Sequence, residues 1–155
     1  MHRVFCLTLA IVLGMAIDGW CAFGSVGKDQ VNVRSGPGLK YQVLFQAPMG
    51  YPVEIVKKQQ DWLQVRDWEG HTGWVKNSML SNIRTTVVLP ERANVRDNPS
   101  TGGGIVRKVE KGDIFKVIAV KKNWLRIGYY YDDEPVGWIR QDLDFGNQRL
   151  LGSSF

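Results

Sequence analysis

The sequence predicts an all-β chain in which two small five-stranded barrels follow one another behind an N-terminal leader helix. Three observations carry this reading. A set of short blocks recurs at a fixed spacing, the apolar residues within each copy alternate with period two, and Gly, Pro, Asn and Asp break the runs at short intervals, as turns do. The composition agrees: of 155 residues, 44% are apolar and 23% charged, which excludes a disordered tail and a multi-span membrane protein. Cys6 and Cys21 are the only cysteines, too few for a disulfide-stapled scaffold or a Cys-rich zinc site. Lys and Arg number 20 against 15 Asp and Glu, a formal charge of +5.

In chain order, the leader comes first. His2 and Arg3 precede an apolar run from Val4 to Ile17, interrupted only by Thr8 and Gly14 and closed by Asp18. Crossing a bilayer takes about 20 apolar residues, so this run reads as a secretory leader and a permanent span is the weaker reading. Ala22-Phe23-Gly24 suits cleavage before Ser25, which gives residues 1–24 as signal peptide. Trp20 is too bulky before Cys21 to favour acylation there. Both thiols leave with the leader, and the mature chain is exported, periplasmic or extracellular.

The repeat organises the rest. Val31-Asn32-Val33-Arg34 returns as Ala93-Asn94-Val95-Arg96, an offset of 62 residues, and the register persists from Gly50 to Gly112 and from Asp61-Trp62-Leu63 to Asn123-Trp124-Leu125. The offset then grows to 64, with Gly73-Trp74-Val75 matching Gly137-Trp138-Ile139, so the second copy holds two extra residues in its last hairpin, where insertions are tolerated. These boundaries give a first domain over residues 25–82, a linker or shared strand over 83–91, a second domain over 92–146 and a flexible tail over 147–155. Small domains are short of core, so Trp62, Trp74, Trp124 and Trp138 are expected to supply structural core in each copy. Gly73 and Gly137 each precede a Trp within a strand, which fits a close crossing where a β-carbon would collide.

These blocks resemble the bacterial Src-homology-3-like (bacterial SH3) family, in tandem. The Asn-Val-Arg opening, the Gly36-Pro37-Gly38 turn, Gly50, Asp61-Trp62 and the closing Gly73-Trp74-Val75 carry the resemblance. The second copy departs from it: Ser100 stands where Gly38 does, and Tyr129 through Pro135 replaces a compact turn. The resemblance implies a half-open five-stranded barrel, usually exported, without chemistry of its own, that binds peptidoglycan (stem peptide or glycan). The alternative is a protein–protein adaptor taking an extended segment of an envelope protein.

Catalysis needs positioned titratable groups, and past the leader the chain offers one histidine, His71, and no cysteine. No enzyme activity, cofactor or metal is expected. Asp132-Asp133-Glu134 lacks the spacing of a calcium loop and reads as a solvated hairpin tip, and Gly102-Gly103-Gly104 lacks the Lys-Ser/Thr that completes a phosphate cradle. Export argues against a nucleic-acid partner. Lys57-Lys58 and Lys121-Lys122 take matching positions as solvated hairpin ends or a paired basic surface. Arg34 and Arg96 open the repeats in matching positions and either pair with a carboxylate such as Asp67, the favoured reading, or face a ligand. Aromatic residues not needed for the core are the ligand candidates: Trp68, Tyr41 and Tyr51 in the first copy, Tyr129, Tyr130 and Tyr131 in the second.

Overall fold

The computed structural model describes residues 22–145. The leader expected over residues 1–24 therefore lies outside the described residues except for its last three, and the tail expected over 147–155 lies outside them entirely. No helix among the described residues is long and apolar enough to cross a membrane.

Two seven-stranded antiparallel sheets follow each other along the chain. The first comprises β1 (Ala22–Val26), β2 (Val31–Arg34), β3 (Val43–Ala47), β4 (Pro52–Gln59), β5 (Trp62–Arg66), β6 (Thr72–Lys76) and β7 (Leu80–Ser81), in the spatial order β3-β2-β6-β5-β4-β1-β7. The second comprises β8 (Thr85–Val88), β9 (Arg92–Arg96), β10 (Ile105–Glu110), β11 (Ile114–Lys121), β12 (Trp124–Gly128), β13 (Pro135–Arg140) and β14 (Asp144–Phe145), and its order, β10-β9-β13-β12-β11-β8-β14, is the same topology repeated. A three-residue 3₁₀ turn, Asn77–Met79 or Gln141–Leu143, precedes the last strand of each sheet.

The expected five strands correspond to β2–β6 and β9–β13. A first strand and a short last strand, β1 with β7 and β8 with β14, extend each sheet to seven. Ala22, Phe23 and Gly24 pair with Ile55, Glu54 and Val53, so these residues of the expected leader belong to the β1 ladder. The stretch expected as linker or shared strand holds a strand, β8, which pairs with β11 and β14 of the second sheet and is not shared with the first. The connection between the barrels shortens to residues 82–84.

Strand alternation decides the cores. Val26, Val31, Val33, Ala47, Val53, Leu63, Val65 and Val75 form the first cluster; Val88, Ala93, Val95, Val109, Phe115, Leu125, Ile127 and Ile139 form the second. Successive side chains of a strand point to opposite faces, so Trp62, one residue before Leu63, faces away from the cluster and pairs with Lys76, as Trp74 pairs with Gln64. Of the four tryptophans expected as core, Trp74 is buried and the other three are corrected. Trp74 lies on the face opposite the aliphatic cluster, and Trp62, Trp124 and Trp138 are half-buried. Small β-branched and aliphatic residues, which pack closely on a pleated surface, fill the interior instead.

Gly73 and Gly137 sit where the strands cross. A β-carbon at Gly73 would collide with Val33 Cγ1 and approach the Arg34 carbonyl. At Gly137, whose φ is +149°, it would lie 2.7 Å from the Arg96 carbonyl oxygen. Both glycines thus permit the close approach the sequence pattern indicates.

Candidate functional site

Asp67 follows β5 directly and is buried, with 4% of its surface exposed. The chain turns back at once: the Gly70 amide donates to the Asp67 carbonyl at 3.1 Å and the Asp67 amide to the His71 carbonyl at 2.9 Å. Gly70 supplies the positive φ, +89°, that this reversal requires and that only glycine adopts without cost. The Asp67 side chain then closes the turn from within, Oδ1 accepting from the backbone amides of Glu69 (2.9 Å) and His71 (2.8 Å). A carboxylate held by two amides satisfies donors that would otherwise be stranded, which is the use Asp has in turns.

Oδ2 of the same carboxylate points the other way. It accepts from the Tyr51 hydroxyl at 3.3 Å and lies 3.2 Å from His71 Nδ1, while Glu69 Oε2 lies 3.6 Å from that nitrogen. Burial first, then the negative charge of Asp67 and the hydrogen bond to it, push the Tyr51 phenol well above its ordinary range. Tyr51 also meets Phe45 edge-on, ring centroids 6.3 Å apart. Leu44, Phe45, Tyr51, Asp67, Glu69, His71 and Thr72 together line an open groove of about 560 Å³, with an apolar floor from β3 and the residue before β4, and a carboxylate–imidazole rim from the turn between β5 and β6.

Of the six ligand candidates, the groove takes in Tyr51 alone. Tyr41 lies over Gly36 and Gly38 of its own loop, with Lys40 Nζ 5.4 Å from its ring centroid. Trp68 is half-buried, and its ring lies 6.0 Å from Lys111 Nζ of the second barrel. Tyr129 packs against Phe115 and accepts a 2.6 Å hydrogen bond from Arg107. Tyr130 is half-buried with its ring edge-on to that of Tyr131, the most exposed of the large apolar side chains at 82%.

The arginines that open the repeats do not pair with Asp67. Arg34 Nη1 donates to the carbonyls of Leu39 (3.2 Å) and Tyr41 (2.9 Å), and Arg96 Nη1 to that of Gly103 (2.6 Å); each clamps the loop that follows its own strand. The two lysine pairs are exposed. In the acidic hairpin, Asp132 Oδ1 accepts from the Glu134 amide at 2.9 Å and Asp133 pairs with Lys116 at 2.7 Å. Sequence reasoning missed the groove residues Leu44, Phe45, Asp67, Glu69 and Thr72. The available signal was Asp67-x-Glu69-Gly70-His71, a turn pattern with polar groups at alternate positions.

Residues 27–82 and residues 91–143 each match a family described as bacterial SH3 domain. The chain belongs to the bacterial SH3 domain family. Both matched regions are bacterial SH3 domains; the first spans β2–β7 and the second β9–β13, so that β1, β8 and β14 lie outside the matches. Over 129 residues the tandem bacterial SH3 chain is 27% identical to YrvJ of Bacillus subtilis (strain 168), named as a candidate N-acetylmuramoyl-L-alanine amidase; the alignment covers 76% of this chain and 24% of that protein. Among solved structures, NlpC2 from Trichomonas vaginalis is 20% identical, with a TM-score of 0.36, over 81% of this chain and 48% of that one. An NlpC/P60 family protein from Bacillus cereus ATCC 10987 is 15% identical, with a TM-score of 0.38, over 79% of this chain and 55% of that one. The chain thus spans about a quarter of the curated relative and about half of these solved structures.

Proposed function

We propose that this tandem bacterial SH3 chain is a non-enzymatic binding module of the cell envelope and that the groove of its first barrel holds peptidoglycan, by its stem peptide or its glycan. The observation that carries the reading is the groove itself. An apolar floor of Leu44, Phe45 and Tyr51 beside a rim of hydrogen-bonding groups is the arrangement by which shallow sites take ligands that are part apolar and part polar. The named activity of the curated relative, on a muramoyl–peptide linkage, supports a wall polymer as the target. An envelope location, periplasmic or extracellular, follows from the same reading.

Sedimentation with purified insoluble peptidoglycan at low salt tests it. Wild type co-sediments; Leu44→Glu, which places a charge on the groove floor at a residue already exposed, loses most of the bound fraction; Val106→Glu, at the counterpart position of the second barrel and equally exposed, does not. If wild type stays in the supernatant, or the two variants behave alike, the groove is not the wall-binding site.

One observation favours the adaptor as a second reading. β3 and β10 each form one edge of their sheet, opposite the two-residue β7 and β14, and each presents two exposed apolar residues, Val43 and Leu44 or Ile105 and Val106. Exposed edges accept an extended strand from a partner. Retention of an envelope polypeptide on immobilised chain, with none of glycan, would favour that alternative.

A further inference from the structure

The rim of the first groove gathers three groups of metal-ligating type on one turn. Ligand atoms of Asp67, Glu69 and His71 all lie within 4.8 Å of one another. His71 Nδ1 is 3.2 Å from Asp67 Oδ2 and 3.6 Å from Glu69 Oε2. For zinc, with bonds of about 2.0–2.2 Å to nitrogen and carboxylate oxygen, two vertices of a tetrahedron sit roughly 3.3–3.6 Å apart. The two edges from His71 bracket that length, and the third, between the two carboxylate oxygens, lies within 4.8 Å, a distance that rotation of the exposed Glu69 side chain can shorten.

The surroundings are suited to a cation as well. Among the described residues, the ion pairs of Asp67 and Glu69 are both with His71, and neither carboxylate meets Lys or Arg. A buried carboxylate is stabilised by hydrogen bonds, by a cation or by both. Here the hydrogen bonds divide the work. The amides of Glu69 and His71 hold Oδ1, and Oδ2 is left toward the groove with the Tyr51 hydroxyl as its donor. Ligating carboxylates are commonly oriented by such outer donors, and Asp67 needs no movement to present Oδ2. All three side chains line the open groove, which leaves room for a further ligand beside them.

We propose that Asp67 Oδ2, Glu69 Oε2 and His71 Nδ1 form a zinc site on the rim of the first barrel's groove, with one coordination position open to the groove. An imidazole nitrogen with two carboxylates selects zinc over calcium and magnesium, which take six or more oxygen ligands or retain their waters. The two carboxylates balance the charge of the ion. The second barrel lacks the site: Tyr129 follows β12 where Asp67 follows β5, and Pro135 opens β13 close to where His71 precedes β6. The site rests on these three side chains whichever polymer the groove takes.

The test is a calorimetric titration of untagged full chain with zinc chloride, in a His2→Ala, Cys6→Ser, Cys21→Ser background so that the leader contributes no histidine or thiol. About one zinc is expected per chain, and His71→Ala and Glu69→Gln each weaken binding by more than about tenfold, the lower range seen when even an outer partner of a metal ligand is removed. Both side chains are exposed, so the variants keep the wild-type circular dichroism spectrum. Cobalt(II) substituted for zinc gives the intense visible bands of tetrahedral coordination in wild type and loses them in His71→Ala. No saturable zinc binding, zinc binding undiminished in both variants, or tighter binding of calcium than of zinc would overturn the assignment.

Discussion

The two barrels have the same strand order, a similar core cluster each and a crossing glycine each, yet the groove positions have diverged. In the first, Asp67 follows β5 and gathers Tyr51, Glu69 and His71 around its carboxylate. In the second, Tyr129 follows β12, Asp113 stands 62 residues after Tyr51, and Arg107, which pairs with Val95 as Phe45 pairs with Val33, reaches across to donate to the Tyr129 hydroxyl. An anionic rim in one copy is a guanidinium stacked against a phenol in the other, Arg107 Cζ lying 5.7 Å from the ring centroid. The comparison shows which constraints are separable. Alternating aliphatic positions and the two glycines hold the ladder, and the residues after β5 and along β3 are free to change sign without disturbing it.

The largest effect that sharpens this comparison is in the core. Leu125 has no exposed surface, and truncating a buried leucine costs about 2–5 kcal/mol. If the barrels are separate cooperative units, Leu125→Ala lowers the denaturant midpoint of the second barrel, followed through probes on that barrel, and leaves the midpoint of the first in place. A common shift of both would show that the aliphatic clusters unfold as one. Next come the glycines. Gly137→Ala places a β-carbon 2.7 Å from a backbone oxygen at a φ of +149°, a conformation that costs about 1–3 kcal/mol for a residue other than glycine. Gly73→Ala meets the buried Val33 methyl but has no positive φ to strain it. The second barrel should therefore lose more from its glycine than the first from its own; equal losses in equilibrium unfolding would mean that the crossing, not the φ, sets the cost.

Much of the architecture is legible in the sequence because a period-two pattern and a repeated block report on the ladder directly. Gly73 and Gly137 are readable for the same reason: each is an interruption of an otherwise strand-forming run. The tryptophans are not, since size and apolarity suggest burial while only the register says which face they take, and Trp62 falls one residue out of phase with Leu63 and Val65. β8 is only half legible: its four residues, Thr85–Val88, are all buried and show no alternation, so they read equally as a linker or a shared strand. The groove is the least legible part. Asp67 reads as a partner for Arg34 or Arg96 until Gly70 folds the chain over it, and Trp68, a turn residue by sequence, has Lys111 of the other barrel 6.0 Å from its ring centroid.

The groove divergence also predicts a difference at alkaline pH. Tyr51 has its phenol raised above the ordinary 10.0, by burial first and by Asp67 second. A raised folded-state value means that the unfolded chain ionises first, so this contribution to stability is complete below about pH 10 and is lost as the pH climbs from there toward the folded-state value. With a chelator present to keep the rim metal-free, unfolding midpoints of wild type should fall above pH 10, and Tyr51→Phe should flatten that fall. Asp113 at the counterpart position cannot supply it. An equally steep fall in Tyr51→Phe would assign the alkaline loss elsewhere.

The smallest effect concerns a pair of opposite polarity in the two copies. Glu54 of β4 pairs with Arg66 across the ladder at 2.6 Å, whereas Lys116, the residue 62 positions later in β11, reaches Asp133 in the long hairpin at 2.7 Å. The hydrogen bond from Lys116, and then its charge, hold the Asp133 carboxyl below the usual carboxylate range. A depressed value contributes stability above the unfolded-state pKa and loses it as the pH falls through the folded-state value. Asp133 is fully exposed, however, and solvent screens such a pair almost completely. Asp133→Asn should leave the midpoint at neutral pH unchanged, while the carboxyl resonance of Asp133, followed through an acid titration, should move up to the ordinary range in Lys116→Met. A measurable loss of stability in Asp133→Asn would mean that the two extra residues of the second hairpin are anchored by this contact and not merely accommodated by the loop.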